Sequence, residues 1–370
     1  MPELVLLADQ LLAPVPGGTG RYTRELGAAL AATAPPGWTV RSVVPRCADP
    51  AVAAIEGVAG PGMLALPRRA LIAAWERRIP LWPGGDSVHA PTPLAPPARR
   101  GKGLVVTVHD TVPFTHPDTL TPRGARWHRK AIAQAARAAD TILVPTAAVG
   151  AQLRPRIGGA PLTVVGHGRT TALEKPPEDA GAIAARLRLP PEYLLMIGTV
   201  EPRKGAEVLL RALAEPGAPT LPLVLAGPRG WGQVEPDRLA AGLGLPAPLE
   251  LGAVTDAELA TVLHRAAALV APSRSEGFGL PVLEAMAAEV PVVHSNAPAL
   301  VELANGTGLG FPVGDARALA AVLRDVFENT AATAARVTAA RARAKAFTWA
   351  DSAARVWAAH LEAHHVRCPR

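Results

Sequence analysis

Residues 271–287 read Ala-Pro-Ser-Arg-Ser-Glu-Gly-Phe-Gly-Leu-Pro-Val-Leu-Glu-Ala-Met-Ala, and they carry the side chains best placed to do chemistry. Two carboxylates, Glu276 and Glu284, stand with seven residues between them. The apolar run over 268–271 predicts a buried parallel strand, and apolar periodicity predicts a helix opening near Leu280. A helix N-terminus offers unpaired N–H groups and the positive end of a dipole, which suits an anion. Gly277 and Gly279 let the backbone approach a ligand closely. A carboxylate beside a phosphate is repulsive unless it accepts hydrogen bonds from neutral hydroxyls. Sugars supply such hydroxyls, and a nucleotide sugar supplies both phosphates and hydroxyls.

The string Glu-Gly-Phe-Gly-Leu-Pro-Val-Leu-Glu-Ala-Met-Ala over 276–287 resembles the paired-glutamate signature of retaining glycosyltransferases of family 4, which have the GT-B fold. The resemblance implies that Glu276 holds the donor sugar's hydroxyls and Glu284 the nucleotide ribose. Gly277, Phe278, Gly279 and Leu280 then belong to the donor site.

A second motif, Gly-Thr-Val-Glu-Pro-Arg-Lys-Gly over 198–205, follows a predicted strand and precedes a predicted helix over 204–213. Adjacent cations at a strand–helix junction can neutralise a leaving diphosphate, an effect that is large in a dry site. Arginine forks onto phosphate oxygens while lysine acts as a compact charge. The segment resembles the family's donor-phosphate motif, with Arg203 and Lys204 as the cationic pair and Gly198 and Thr199 beside them. Some members carry an arginine where this chain has Thr199. Near the N-terminus, Gly17 and Gly18 lie in Pro-Gly-Gly-Thr-Gly-Arg-Tyr over 16–22. Glycines ahead of a helix suit phosphate approach, and the stretch resembles the family loop that closes over the donor phosphates. Tyr22, at its end, is an acceptor-side candidate.

His109 and Asp110 end a predicted strand over 104–109, at the carboxyl end where α/β sites lie. The resemblance implies that His109 contacts the transferred sugar. Asp110 could orient His109 or meet an acceptor hydroxyl. His89 ends another predicted strand and is a weaker acceptor-side candidate. Arg169 departs from the family's wording at its position and is assigned no role.

These motifs need a scaffold that delivers strand ends to one side. Strands are predicted over 4–8, 40–44, 87–89, 104–109, 141–144 and 162–165, with helices over 20–32, 68–78, 122–138 and 147–154. After a Gly-, Pro- and charge-rich linker over 166–181, strands follow over 193–197, 223–226, 249–251, 269–271, 292–294 and 310–313. Helices in that half fall over 204–213, 256–265, 280–288 and 317–329, and an Ala- and Arg-rich helix over 331–365 breaks near Thr348. Alternating strand and helix means α/β with parallel sheets. Two domains are expected from 370 residues. They are Rossmann-like domains over 1–170 and 171–348, and the resemblance implies that the first binds the acceptor and the second the nucleotide-sugar donor. The resemblance adds a central cleft between them and a last helix, about 349–370, crossing back to the first domain.

Hydrophobic content of 49% with mixed charges argues against disorder. The net charge of +7 comes almost wholly from scattered arginines, and aromatics are 4%, so no nucleic-acid signature is present. Two cysteines, Cys47 and Cys368, imply no disulfide framework and a reducing compartment. No signal peptide and no run of about 18 apolar residues is read, giving a cytoplasmic expectation. The stretch 68–82, with Arg68, Arg69, Trp75, Arg77, Arg78 and Trp82, is the candidate for peripheral contact with the inner membrane face.

No Asp-x-Asp and no metal-ligand spacing is found, so no cofactor is expected beyond the nucleotide-sugar co-substrate. The resemblance implies a hexosyltransferase that retains configuration by same-face attack. Wording across nearly the whole chain is similar to bacterial mannosyltransferases that use GDP-mannose, with a UDP-hexose donor as the alternative. A saccharide, glycolipid or small molecule would accept. A sugar-nucleotide epimerase on the same fold, a carbohydrate-binding relic and a nucleic-acid binder are the readings from other classes. The intact glutamate string argues against the first and the two cations against the second. Steep salt dependence would mark the third.

Overall fold

The computed structural model describes residues 1–232 and 234–367; Cys368 lies outside them. The chain divides into two compact units. Unit 1 comprises Met1–Pro117, Thr121–Gly168 and the residues from Phe347 onward; unit 2 comprises Arg169–Ala346 with Asp118–Leu120.

Unit 1 contains strands β1 (Glu3–Leu7), β2 (Thr39–Arg46), β3 (Ala59–Pro67), β4 (Ser87–Ala90), β5 (Gly103–Thr107), β6 (Thr141–Val144) and β7 (Leu162–Val164). Its helices are α1 (Gly17–Ala32), α2 (Arg68–Glu76), α3 (Val112–Thr115), α4 (Pro122–Ala138) and α5 (Ala147–Leu153). All strands pair in parallel, in the order β3-β2-β1-β4-β5-β6-β7. Alternation along β1 shows why both faces are covered. Leu4 and Leu6 pack in one core with α1, while Val5 and Leu7 pack in another with α2 and α4.

Unit 2 contains β8 (Leu194–Ile197), β9 (Leu223–Ala226), β10 (Leu249–Gly252), β11 (Ala268–Ala271), β12 (Val292–Ser295) and β13 (Leu309–Phe311). Helices α6 (Ala180–Arg186), α7 (Ala206–Leu213), α8 (Pro236–Gly242), α9 (Asp256–His264), α10 (Leu280–Ala287), α11 (Pro298–Ala304), α12 (Ala316–Glu328) and α13 (Thr330–Ala344) accompany them. The sheet is again parallel, ordered β10-β9-β8-β11-β12-β13. Strand order reverses between β8 and β11, the switch point at which open α/β sheets bind ligands.

The last helix, α14 (Trp349–Arg367), belongs to unit 1. Trp357 donates its indole N–H to the Leu30 carbonyl at the end of α1 (3.1 Å), and Ser352 donates to the Gly166 carbonyl (2.6 Å).

Local departures from the sequence pattern have physical causes. Edge strand β3 is not predicted, because Gly60, Pro61 and Gly62 mask its pattern and Met63 stays exposed. Helices α6, α8 and α11 have seven residues each, too short to show a period, and α8 and α11 open on proline. Gly17 and Gly18 do not form a loop before α1; they are its first two residues, after Pro16, and both are exposed. Lys204 does not open α7 either. Residues Pro202–Lys204 form a separate 3-10 turn that ends on left-handed Gly205 (φ +76°).

Candidate donor site in unit 2 and a histidine cluster in unit 1

Two loops at the carboxyl ends of the neighbouring strands β8 and β11 build the site in unit 2. They are pressed together: a Cβ on Gly205 would fall 2.2 Å from the Pro272 carbonyl oxygen, so only glycine fits. The Arg274 N–H donates to the Arg203 carbonyl at 2.8 Å and stitches the loops. The stem of Lys204 lies over Gly198, where a Cβ would meet Lys204 Cε at 3.3 Å.

Arg203, Lys204 and Glu276 converge. Lys204 Nζ donates to Glu276 Oε1 at 2.6 Å, and Arg203 Nη1 to Glu276 Oε2 at 3.2 Å. Ser273 Oγ donates to the same Oε1 at 2.7 Å, and Arg203 also reaches the Ser275 carbonyl (3.0 Å). Arg203 Nη2 donates to Glu201 Oε1 at 2.6 Å. The Glu276 side chain is 13% exposed and that of Lys204 13%. Burial alone would raise the Glu276 pKa; the Lys204 and Arg203 charges and the bonds from Lys204 and Ser273 overcome it and bring it down to about 2. Two cations thus face two carboxylates, so the cluster is balanced in charge rather than an open cationic hole. The carboxylates hold the Arg203 and Lys204 donors in fixed directions.

Lys204 immediately precedes Gly205, the N-cap of α7, so the two cations lie at the positive end of that helix and are held there by Glu276 and Glu201. Helix α10 opens after Gly279, left-handed at φ +101° and without a side-chain cap. Gly277, Phe278 and Leu280 are buried around this turn. Thr199 lies against Gly230 of the loop after β9. Glu284, 3% exposed on α10, accepts from Thr170 Oγ1 at 3.4 Å. Arg169 bonds Glu174 and the Lys345 carbonyl.

In unit 1, His109 is half-buried and its Nε2 lies 2.8 Å from the Pro91 carbonyl. A carbonyl only accepts, so Nε2 carries the proton and Nδ1 the lone pair of the neutral ring. Burial lowers the His109 pKa against the raising effects of Pro91 and Asp110. Asp110 accepts from the Val112 N–H at 3.0 Å, fixing the turn into α3. Tyr22 and His89, expected on the acceptor side, are 1% and 0% exposed. Tyr22 packs edge-on against His109, with centroids 4.6 Å apart, and His89 points into the unit toward His360. Along 68–82, Leu71 and Trp75 face the core, while Arg68, Arg69, Arg77 and Arg78 are exposed.

Sequence reasoning misses Glu201, Ser273, His167, Trp349 and His360. Glu201 stands inside the motif over 198–205, and Ser273 lies three residues before Glu276, a spacing compatible with one tight turn. The unit 1 residues give no signal, because 109, 167, 349 and 360 are brought together only by the fold.

Two sequence families cover this chain. The family described as "Glycosyl transferases group 1" matches residues 183–344, and "Glycosyltransferase Family 4" matches residues 16–173. The chain belongs to the family 4 glycosyltransferases. Among relatives, the D-inositol 3-phosphate glycosyltransferase of Streptomyces scabiei is 33% identical over 249 residues, 63% of this chain and 56% of that protein. The O-antigen chain mannosyltransferase B of Escherichia coli is 34% identical over 164 residues, 42% of each. The chain spans about half the length of the curated relatives it matches. The structure of Anabaena HepE in complex with UDP and glucose superposes with a TM-score of 0.74 at 21% identity, covering 98% of this chain and all of that one. This likeness establishes the GT-B fold of the family, with its paired Rossmann-like units.

Proposed function

We propose that this family 4 glycosyltransferase is a retaining hexosyltransferase that moves mannose from GDP-mannose to a hydroxyl of a saccharide, glycolipid or small-molecule acceptor. The observation that carries the reading is the convergence of Arg203, Lys204 and Glu276 at the switch point of unit 2. The diphosphate takes up donors of Arg203 and Lys204, with Gly198, Thr199 and the start of α10 beside it. Glu276 turns a carboxylate oxygen to sugar hydroxyls, and Glu284 to the ribose. In unit 1, His109 is the candidate contact to the transferred sugar, and the first turn of α1 at Gly17 and Gly18 a candidate phosphate contact.

The acceptor oxygen bonds to the anomeric carbon on the face from which the phosphate oxygen departs. That phosphate oxygen takes the acceptor's proton, and GDP leaves. Negative charge grows on the diphosphate as the bond breaks, so fixed cations stabilise the transition state more than the ground state. Glu276, held near pKa 2, stays ionised and serves as acceptor for hydroxyls rather than as a base.

The mannosyltransferase relative supports mannose. A UDP-hexose donor is the second reading, favoured by the likeness to a structure holding UDP and glucose. A thermal-shift panel with GDP, UDP, ADP and TDP, with and without magnesium, separates them, because a ligand of the native state raises the midpoint by mass action. A selective GDP shift supports the first reading and a selective UDP shift the second. No shift from any nucleotide would remove the donor-site assignment.

A further inference from the structure

Unit 1 contains a chain of polar side chains that nothing in the donor chemistry uses. Tyr22 Oη lies 2.9 Å from Thr107 Oγ1, Thr107 Oγ1 3.4 Å from His89 Nε2, and His89 Nδ1 3.2 Å from His360 Nε2. His360 Nδ1 lies 2.7 Å from Ser87 Oγ. All five residues are at most 2% exposed. The chain links α14 to β4, β5 and α1, and it ends on the ring that touches His109. Tyr22 stands at right angles to His109 (85°, 4.6 Å) and also packs on His167 at 4.6 Å. His167 in turn stacks on Trp349 at 5.9 Å.

The protons can be placed consistently in either direction. If Ser87 donates to His360 Nδ1, His360 Nε2–H donates to His89 Nδ1, and His89 Nε2–H donates to Thr107. If Tyr22 donates to Thr107, Thr107 donates to His89 Nε2, His89 Nδ1–H donates to His360 Nε2, and His360 Nδ1–H donates to Ser87. Both patterns need each imidazole neutral with one N–H. A buried network that is satisfied from end to end fixes one arrangement of its members, because breaking a link strands a polar group without water.

We propose that Tyr22 and His89 are positioning residues for His109. Anchored on His360 of α14 through Thr107, they fix the Tyr22 ring, and that ring sets the plane of the His109 imidazole, whose other edge is held by Pro91. This replaces direct acceptor contact as the role of Tyr22 and His89. The catalytic part rests on the reading of His109 as the sugar contact; the geometric part does not.

The test is Tyr22→Phe, which deletes one oxygen and keeps the ring, with Thr107→Val interrupting the chain at its middle should the first variant fold poorly. The readout is the tautomer and chemical shifts of the His109 ring nitrogens in 15N-histidine-labelled protein, assigned with His109→Gln. Positioning predicts that both variants move the His109 signals. It also predicts a kcat about tenfold lower with donor KM unchanged, against the roughly hundredfold that an ångström of misplacement costs. Signals left in place in a folded variant would overturn the proposal whatever the activity does. Moved signals with unchanged kcat would confirm the positioning and instead refute the role given to His109.

Discussion

The two units hold polar networks of opposite character. In unit 2, Arg203, Lys204, Glu276 and Glu201 form an ionic cluster at a sheet switch point, with side chains 13–21% exposed. In unit 1, Tyr22, Thr107, His89, His360 and Ser87 form an uncharged chain that is sealed from solvent. Fixed charges at a partly open site can exchange partners with an incoming anion, because the anion's charge replaces that of the carboxylate it displaces. A sealed neutral chain cannot exchange partners, so it serves to hold shape. Under the proposed function, ligand recognition falls to the first and geometry to the second.

The largest effect should come from Lys204→Ala. Turnover should fall about 10²–10³-fold, as when a preorganised transition-state donor is removed, while circular dichroism stays unchanged. Unchanged turnover would break the comparison at its ionic end. Gly205→Ala is next. A Cβ 2.2 Å from the Pro272 oxygen, on a left-handed residue, forces the two loops apart, at a cost of about 3 kcal/mol. A denaturant titration should show that loss, together with weakened nucleotide binding.

Acid separates the networks more gently. Burial, with the neighbouring His109 charge, holds His89 at about 3, below the ordinary 6.5. The unfolded chain therefore binds this proton first, and unit 1 loses stability as pH falls from 6.5 toward 3. Glu276, depressed to about 2, contributes stability above its unfolded value of 4.5 that is lost only as pH falls from there toward 2. Of the seven tryptophans, all but Trp231 lie in unit 1, so tryptophan emission reports mainly that unit. The denaturant midpoint followed by this emission should fall as pH drops below 6.5; a midpoint unchanged down to pH 4 would contradict the neutral-histidine chain.

Legibility in the sequence follows the range of the contacts. The site of unit 2 can be read because each loop is a contiguous motif following its own strand: 198–205 after β8 and 271–280 after β11. Periodicity also gives β6, β9 and α4 with their observed limits. The meeting of Glu276 with Lys204, 72 residues away, needs the order of strands in the sheet, which no local pattern states. For His89 and Tyr22 the sequence points to the correct sheet end but to the wrong side of the surface. A polar residue after a buried strand can turn out to a ligand or inward to a partner, and here the inward partner, His360, is 271 residues distant.

The most direct measurement is calorimetric titration of GDP-mannose and GDP, in parallel with UDP-glucose and UDP, into the wild-type protein, Lys204→Ala and Glu276→Gln. The ionic cluster as the donor site predicts that Lys204→Ala weakens both the nucleotide and its sugar conjugate by about tenfold or more, about 1.4 kcal/mol per decade. Glu276→Gln should weaken the conjugate more than the bare nucleotide. Wild-type affinity in both variants would contradict the assignment of the diphosphate sugar to Arg203, Lys204 and Glu276.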